Sequence, residues 1–148
     1  DLGLNELLDI AKRRSTRKEA KKEIKKEAKI PLEVFKQNIG TAESICKYMK
    51  ENLKMRFSEI SRVVGRDQRT VWNNYNNSIK KMKGKMEIRD EKGIEIPIEI
   101  FDEEHSILES VISYLREEGY RNIEIAKLLG KDARNVWTIW NRARKKNM

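Results

Sequence analysis

The chain has 148 residues, of which 38% are hydrophobic and 39% are charged, and its formal net charge is +9 at pH 7. This length fits one ordinary domain or two very small ones. No apolar run approaches the roughly 18 residues that a membrane span needs, so we expect a soluble protein without a membrane partner. Cys46 is the only cysteine, which excludes an intramolecular disulfide or a cysteine-rich zinc site and suits a reducing cytoplasm.

The positive charge is concentrated in the first part of the chain. Residues 12–29 hold ten basic and three acidic side chains, residues 30–83 are also strongly basic, and residues 96–148 have no net charge. Such an excess of lysine and arginine favours an anionic partner. No signal peptide is visible, and the start at Asp1 leaves a preceding segment open. We therefore predict a cytoplasmic protein, associated with the nucleoid or with ribosomes.

The basic N-terminal segment, residues 1–29, is predicted to form one long helix over residues 5–29, with Asn5 as its N-cap. From Lys18 the sequence KEAKKEIKKEAK repeats every four residues, and glutamate and lysine side chains at this spacing stabilise an exposed helix. Three interpretations stay open: a solvated connector, a helix bound to a nucleic-acid backbone, or a weak coiled-coil seam. A short apolar patch near the start offers a surface for a homodimer, through Leu4, Leu7 and Leu8.

A long repeat divides the rest of the chain. The stretch IPLEVF at residues 30–35 returns as IPIEIF at 96–101, and GRDQRTVWNNY at 65–75 returns as GKDARNVWTIW at 130–140. One residue is missing from the second copy, in the loop between its first two predicted helices, where a deletion is tolerated. The repeat therefore predicts four parts, which are the N-terminal helix 1–29, a first module 30–83, a linker 84–95 and a second module 96–148.

Each module is predicted to contain three helices. Their bounds are 42–53, 57–64 and 67–82 in the first module, and 107–118, 122–129 and 132–146 in the second. Pro31 and Pro97 are unsuited to a helix interior, and the alternation around them predicts a short extended lead-in that docks on its module. The linker alternates apolar and polar residues around a glycine-containing turn, which indicates a short β-hairpin or an extended tether. We expect an all-α fold with the long basic N-terminal helix and two tandem three-helix modules.

The first module contains the spacing of a helix-turn-helix. This motif has a small residue in its first helix, a glycine with positive φ in the turn, and a branched apolar residue that faces back from the second helix. Counted from Phe57 as position one, Ser61 is at position five, Gly65 at nine and Val71 at fifteen. Asp67 lies where the N-cap of the second helix is expected.

The second module repeats this spacing in register. Counted from Asn122, the same three positions are occupied by Ala126, Gly130 and Val136, and Asp132 takes the place of the N-cap. Each of these residue types is common, so one match is a moderate signal, but two matches in register are a strong one.

The two modules resemble the helix-turn-helix of sigma-factor region 4, and their tandem arrangement is similar to that of predicted archaeal proteins that carry this domain. The resemblance covers residues 30–83 and 96–146. It implies two three-helix DNA-binding units whose last helix enters the major groove. Asn74 departs from the family pattern, which has an apolar residue there, whereas Ile139 follows it.

If the last helix of each module is a recognition helix, the residues near its start and one turn further on face the groove. Glutamine and asparagine pair with adenine, arginine pairs with guanine, and alanine or a threonine methyl contacts the thymine methyl. The base-edge candidates are Gln68, Arg69, Trp72, Asn73 and Asn76 in the first module, and Ala133, Arg134, Trp137, Thr138 and Asn141 in the second. Because Gln68 corresponds to Ala133, the two modules are not expected to read the same sequence, and a direct palindrome is not expected from one chain.

Basic side chains around these positions are predicted to contact phosphates, which fix the register of a protein on nucleic acid. They lie along the N-terminal helix, in the two turns and near the ends of the last helices. The phosphate candidates are Arg13, Arg14, Arg17, Lys18, Lys21, Lys22, Lys25, Lys26, Arg66, Lys80, Lys81, Lys131, Arg142, Arg144, Lys145 and Lys146.

Trp72 and Trp137 fall at position sixteen of the motif, which usually faces the ligand. Three interpretations stay open for them. The rings pack in the core of their module, or they stack on nucleic acid, for which unpaired RNA bases are better suited than a closed duplex, or they are buried against the other module or another protein. Tyr75 and Trp140, one turn on from the branched residues, are predicted to be core residues.

No enzyme is predicted, and no cofactor, metal or small-molecule substrate is expected. His105 is the only histidine and is expected to be exposed in an acidic stretch. Cys46 is expected in the core, and neither a phosphate-binding loop nor a metal-ligand spacing is present.

The leading hypothesis is a sequence-specific binder of double-stranded DNA that regulates transcription. The alternative is an RNA- or ribosome-binding factor that uses the same modules on structured RNA, together with the lysine-rich helix. A further hypothesis gives the second module a protein partner, because its first half is acidic. That half holds Glu99, Asp102, Glu103, Glu104, Glu109, Glu117 and Glu118 against Arg116.

Overall fold

The computed structural model describes residues 29–89 and 92–147. Within them lie six α-helices: α1 (Thr41–Glu51), α2 (Phe57–Val64), α3 (Gln68–Lys81), α4 (Ile107–Glu117), α5 (Asn122–Leu129) and α6 (Ala133–Lys146). Two short strands, β1 (Lys29–Pro31) and β2 (Glu95–Pro97), each lead directly into a 3₁₀ turn, at Leu32–Lys36 and Ile98–Ile100. The predicted N-terminal helix over residues 5–29 falls almost entirely outside the described residues, together with its phosphate candidates and its apolar patch.

All six helices begin and end within two residues of the predicted bounds, and the prediction of a mainly helical fold is confirmed. The ends have local causes. Gly65 and Gly130 end α2 and α5 in the left-handed conformation, with φ of 67° and 66°, which glycine adopts without a Cβ penalty. Asp67 and Asp132 then cap α3 and α6, and each carboxylate accepts a hydrogen bond from a backbone N–H of the first turn.

Of the two interpretations of the linker, residues 84–95, its described residues fit the extended tether and not the β-hairpin. Among residues 84–89 and 92–95, only Glu95 belongs to a strand, and β2 pairs with β1. The described linker residues before it form a tether without regular secondary structure, in which Met86 is buried and Ile88 is half-buried against the core. The Asn52 side-chain amide also donates a hydrogen bond to the Met86 carbonyl over 3.2 Å. The alternating apolar residues thus contact the core instead of pairing with each other.

The two lead-in strands form an antiparallel pair across a local twofold axis. Their register is Lys29 opposite Pro97, Ile30 opposite Ile96, and Pro31 opposite Glu95. Ile30 and Ile96 occupy the same place in the repeat, and equivalent residues face each other in an antiparallel ladder when a twofold axis relates the two units locally. Phe35 and Phe101, which are also equivalent, are in contact, with ring centroids 6.5 Å apart.

Each lead-in contacts both modules rather than its own alone. The turn after β1 packs against α1 of its own module and α5 of the other, and the turn after β2 packs against α4 and α2 in the same way. The equivalent helices α1 and α4 also contact each other. A single hydrophobic core therefore runs through both modules, and packing sets the position of α3 relative to α6.

Buried aliphatic side chains in the lead-ins stabilise this arrangement. Ile30, Leu32, Ile96 and Ile98 are between 0% and 2% exposed. Full burial of one such side chain stabilises a fold by roughly 1.5–3 kcal/mol. Because these residues lie where the modules meet, this free energy opposes separation of the modules.

Candidate nucleic-acid interface

Helices α3 and α6 each bury one face and expose the other. Val71 on α3 and Val136 on α6 have no exposed surface, which confirms that the branched residue at position fifteen faces the core. Side chains three or four positions apart lie on the same face of a helix, so the positions between two buried ones point outward. The base-edge candidates that are exposed are Gln68, Arg69, Trp72, Asn73, Arg134, Trp137 and Thr138, and those that are half-buried are Asn76, Ala133 and Asn141.

Trp72 and Trp137 lie on the exposed faces, so the interpretation that they belong to the core is wrong. Each side chain keeps 53% of its surface exposed, because the neighbouring Val71 or Val136 fills the core position. The same exposure argues against burial of the rings between the modules. Contact with nucleic acid or with another protein stays open, and an indole offers both a flat aromatic face and an N–H donor for it.

The starts of the two last helices offer unpaired polar groups. Within the described residues, no hydrogen bond or ion pair is made by the side chains of Gln68, Arg69, Asn73 and Arg134. An arginine guanidinium can donate two parallel hydrogen bonds to guanine, and a side-chain amide can pair with adenine. These four side chains are therefore the base-edge candidates with the most available hydrogen-bonding capacity.

Three other base-edge candidates form hydrogen bonds on their own helix. Asn76 and Thr138 each donate to the backbone carbonyl four positions earlier, over 2.9 Å. Asn141 accepts a hydrogen bond of 3.2 Å from the guanidinium of Arg144. These bonds hold the three side chains against their helices and leave fewer polar groups for a base.

Arg66, predicted to contact a phosphate, is instead bonded inside the protein. Its guanidinium donates hydrogen bonds of 2.8–3.2 Å to the carbonyl oxygens of Val64, Gly65, Asp102 and His105. Two of these carbonyls lie at the end of α2 and two in the loop before α4. Arg66 thus joins the two modules through the Asp102 and His105 carbonyls, and its contact with a phosphate stays a prediction. Its counterpart Lys131 is half-buried and makes no such bond within the described residues.

Two further phosphate candidates form equivalent ion pairs near the ends of α3 and α6. Lys81 Nζ lies 2.8 Å from a carboxylate oxygen of Glu43, and Lys146 Nζ lies 2.8 Å from one of Glu109. Burial alone would raise the pKa of Glu109, but hydrogen bonds from Lys146 and Ser106 lower it below its ordinary value. Lys81 and Lys146 thus tie each last helix to the first helix of its module. The two ion pairs occupy equivalent places in the two copies of the repeat. This recurrence of a glutamate and a lysine is the sequence signal that could have identified them.

The remaining phosphate candidates among the described residues keep their charge on the surface. Lys80, Arg142 and Lys145 are exposed and have no ion-pair partner in the described part of the chain. Arg144 is exposed too, and its guanidinium lies 4.4 Å from the centroid of the Trp140 ring. These side chains follow the base-edge candidates along α3 and α6, where a phosphate backbone would meet them.

Tyr75 and Trp140, predicted as core residues, are half-buried. The Tyr75 hydroxyl donates a hydrogen bond of 2.9 Å to Glu51. The Trp140 ring packs against the core and lies 4.3 Å from the guanidinium carbon of Arg116, a cation–π distance. Both aromatic side chains therefore contribute to the fold from its edge.

Asn74, the departure from the family pattern, lines an open cleft between the modules. The cleft has a volume of about 300 Å³, and its lining includes Thr70 from α3 and Ile107 and Leu108 from α4. The counterpart of Asn74, Ile139, is only 8% exposed. A polar side chain is tolerated at residue 74 because this part of α3 borders the cleft.

His105, expected to be exposed, is buried. Its Nδ1 lies 3.0 Å from both carboxylate oxygens of Asp102, and Asp102 also accepts hydrogen bonds from the backbone N–H groups of Glu104 and His105. Burial alone would raise the pKa of Asp102, but these bonds lower it. The pair shapes the loop that Arg66 binds. No cluster of three or more metal-ligating side chains lies in the part of the chain that the structure describes.

Cys46 is only 2% exposed, so its prediction as a core residue is confirmed. Burial raises the pKa of its thiol to about 12. The thiol is therefore protonated at neutral pH, and only a thiolate would act as a nucleophile.

Comparison of the chain with models of protein families, with curated proteins and with solved structures found no match in any of the three. The resemblance to sigma-factor region 4 therefore rests on the sequence motif alone. Among residues 29–89 and 92–147, no helix has the length and apolar character that crossing a membrane would need.

Proposed function

We propose that this chain binds double-stranded DNA in a sequence-specific manner and regulates transcription, with each module acting as a helix-turn-helix. The observation that carries the proposal is the equivalence of α3 and α6. Each follows a left-handed glycine turn, begins at an aspartate cap, and exposes an arginine and a tryptophan at the same places. An α-helix fits the width of the major groove, where arginine reads guanine.

The charge of the two last helices supports contact with phosphates. Neither α3 nor α6 contains an acidic residue, and both end in basic side chains. The second module as a whole has no net charge, because its acidic and basic side chains balance. All of its acidic residues precede α6 in the sequence. Both helices are therefore suited to a polyanion, which supplies the sequence-independent part of binding. The acidic side chains exposed on the second module form a surface for which the hypothesis of a protein partner remains.

The test is a titration of duplex DNA with the full chain and with single variants. Arg69→Ala is expected to weaken specific binding by roughly 1–3 kcal/mol, because it removes a contact to one base. Lys36→Ala is the matched control, since Lys36 is exposed in the first lead-in and its loss removes one positive charge outside α3 and α6. Unchanged affinity together with unchanged site preference in Arg69→Ala would contradict the role assigned to α3.

The regulatory role is tested in cells. Crosslinking, followed by sequencing of both the DNA and the RNA recovered with the protein, reports the partner without a prior choice. Reads at discrete promoter-proximal DNA sites are the expected result. Reads concentrated in ribosomal RNA would contradict it.

A second candidate function is binding to structured RNA or to the ribosome, which the exposure of Trp72 and Trp137 favours. Aromatic rings stack on unpaired bases, and each stacked base contributes about 1–3 kcal/mol. Both functions predict a steep dependence on salt, so affinities for duplex DNA and for a ribosomal RNA fragment are compared at one ionic strength. Tighter binding to the RNA, lost in Trp72→Ala, would favour this candidate over the first.

A further inference from the structure

The twofold relation of the lead-ins extends to the two last helices. The contacts that join equivalent parts of the repeat are those of Ile30 with Ile96, of Phe35 with Phe101, and of α1 with α4. Helix α3 packs on α1 and α2, and α6 packs on α4 and α5 in the same way. The axis that relates α1 to α4 therefore also relates α3 to α6 approximately, although the contact of the Gly65 turn with the loop before α4 has no counterpart at Gly130.

A twofold axis determines how two such helices approach a duplex. Duplex DNA has its own twofold axes perpendicular to its length. Two helices related by a twofold axis make equivalent contacts with one duplex when their exposed faces point to the same side along that axis, and the half-sites then run in opposite directions. A direct repeat would require modules related by translation, which the antiparallel pairing of β1 with β2 excludes.

The distance between the half-sites is fixed as well. Each lead-in turn packs on both modules. Arg66 also joins the turn before α3 to the loop before α4, through hydrogen bonds of 2.9 Å to the Asp102 carbonyl and 2.8 Å to the His105 carbonyl. These connections prevent α3 from moving independently of α6. The protein therefore fits half-sites at one centre-to-centre spacing.

The outer faces of the two helices are alike without being identical. The shared residues are Arg69, Trp72 and Asn76, which correspond to Arg134, Trp137 and Asn141, and the differing ones are Gln68 and Asn73, which correspond to Ala133 and Thr138. Shared side chains favour shared base pairs, and different side chains favour different ones. The two half-sites are thus related in sequence and unequal.

We propose that one chain binds one duplex through both α3 and α6, and that its target is an imperfect inverted repeat. The two half-sites run in opposite directions at a fixed spacing and have related but unequal sequences. This inference rests on the proposed function and adds the class of DNA that the site takes. It revises the sequence-based expectation about palindromes, because the axis produces an inverted site while Gln68 and Ala133 make its halves differ.

The experiment begins with selection of binding sites from a random duplex pool by the full chain. In the enriched site, one half-site is then reversed in place, with its spacing and base composition kept. We expect the affinity to fall by at least about tenfold, because the reversed half-site loses several base contacts. Equal affinity for the reversed arrangement, a site with a single half-site, or two duplexes bound per chain would overturn the inference and leave duplex binding intact. No enrichment of any duplex would overturn the proposed function, and this inference with it.

Gln68→Ala provides a second readout that does not depend on affinity. The substitution makes α3 match α6 at this position, and alanine is well suited to a helix. Repeating the selection with this variant is expected to change one half of the enriched site toward the sequence of the other half. Lys36→Ala is expected to leave both halves as they are. A change in neither half of the site, or an equal change in both halves, would overturn the inference.

Discussion

Two glycines in equivalent turns offer a matched test of the contact between the modules. Gly65 and Gly130 both have positive φ, at 67° and 66°. Alanine at either position therefore carries the left-handed penalty of roughly 1–2 kcal/mol. The surroundings differ, because a Cβ at residue 65 would lie 3.1 Å from backbone atoms of Asp102 and Glu103, whereas a Cβ at residue 130 would meet no heavy atom within 4 Å.

The additional cost at residue 65 is steric. The same Cβ would lie 2.9 Å from the side chain of Glu103, and real Cβ atoms essentially never come within 3.0 Å of a heavy atom of a residue distant in sequence. The hydrogen bonds of Arg66 to the Asp102 and His105 carbonyls oppose a shift of this loop. Overpacking of this kind costs about 1–3 kcal/mol. We therefore expect Gly130→Ala to lower the free energy of unfolding by about 1–2 kcal/mol and Gly65→Ala by about 2–5 kcal/mol.

Urea unfolding followed by far-ultraviolet circular dichroism, with linear extrapolation to water, measures both losses. Gly130→Ala carries the same backbone penalty without a contact to the other module. The difference between the two losses of unfolding free energy therefore measures the contact of residue 65 with the second module. Equal losses, or a smaller loss for Gly65→Ala, would refute the reasoning that this turn is packed tightly against the second module.

Burial of Cys46 predicts that a thiol reagent at neutral pH labels the native chain far more slowly than the urea-unfolded chain, and equal rates would contradict a thiol pKa of about 12. The pKa of Glu109 is lowered from 4.5, so its ionised form contributes stability above that value, which is lost as the pH falls through the folded pKa. The free energy of unfolding should therefore fall more steeply on acidification in the native chain than in Glu109→Gln, and parallel curves would argue against the ion pair with Lys146. Trp72→Ala is expected to change the free energy of unfolding by no more than about 1 kcal/mol, because half of the ring is exposed, and to weaken nucleic-acid binding. Urea unfolding and titration measure the two effects, and a large loss of stability would show that the ring has a structural role.

Local signals were sufficient to predict the helices and their ends. The glycine turns and aspartate caps act within one helical turn, so Gly65 and Asp67 mark the boundary between α2 and α3 without knowledge of the rest of the chain. Helical periodicity likewise places Val71 on the inner face. For the same reason the outward direction of Arg69 could be predicted.

Contacts between distant residues could not be predicted from such signals. Nothing in the sequence around Arg66 shows that its partners are backbone carbonyls of the second module, because every residue carries a carbonyl. His105 was expected to be exposed because its neighbours are acidic, and its burial depends on how the loop folds onto the first module. The pairing of β1 with β2 had one indirect signal. Two nearly identical segments, IPLEVF and IPIEIF, can pair with each other about a twofold axis.

Under the proposed function, the interlocked modules would give one chain an arrangement that helix-turn-helix proteins commonly obtain as dimers. Because both helices lie on one core, α3 and α6 would be positioned before binding, so less conformational freedom would be lost in a complex. One chain also allows Gln68 and Ala133 to differ, whereas in a homodimer they would be the same residue. The same interlocking makes removal of the second module at residue 83 unsuitable for assigning roles, because it would uncover Ile30 and the rest of the first lead-in. Arg134→Ala, on the surface of α6, tests the contribution of the second module without opening the core.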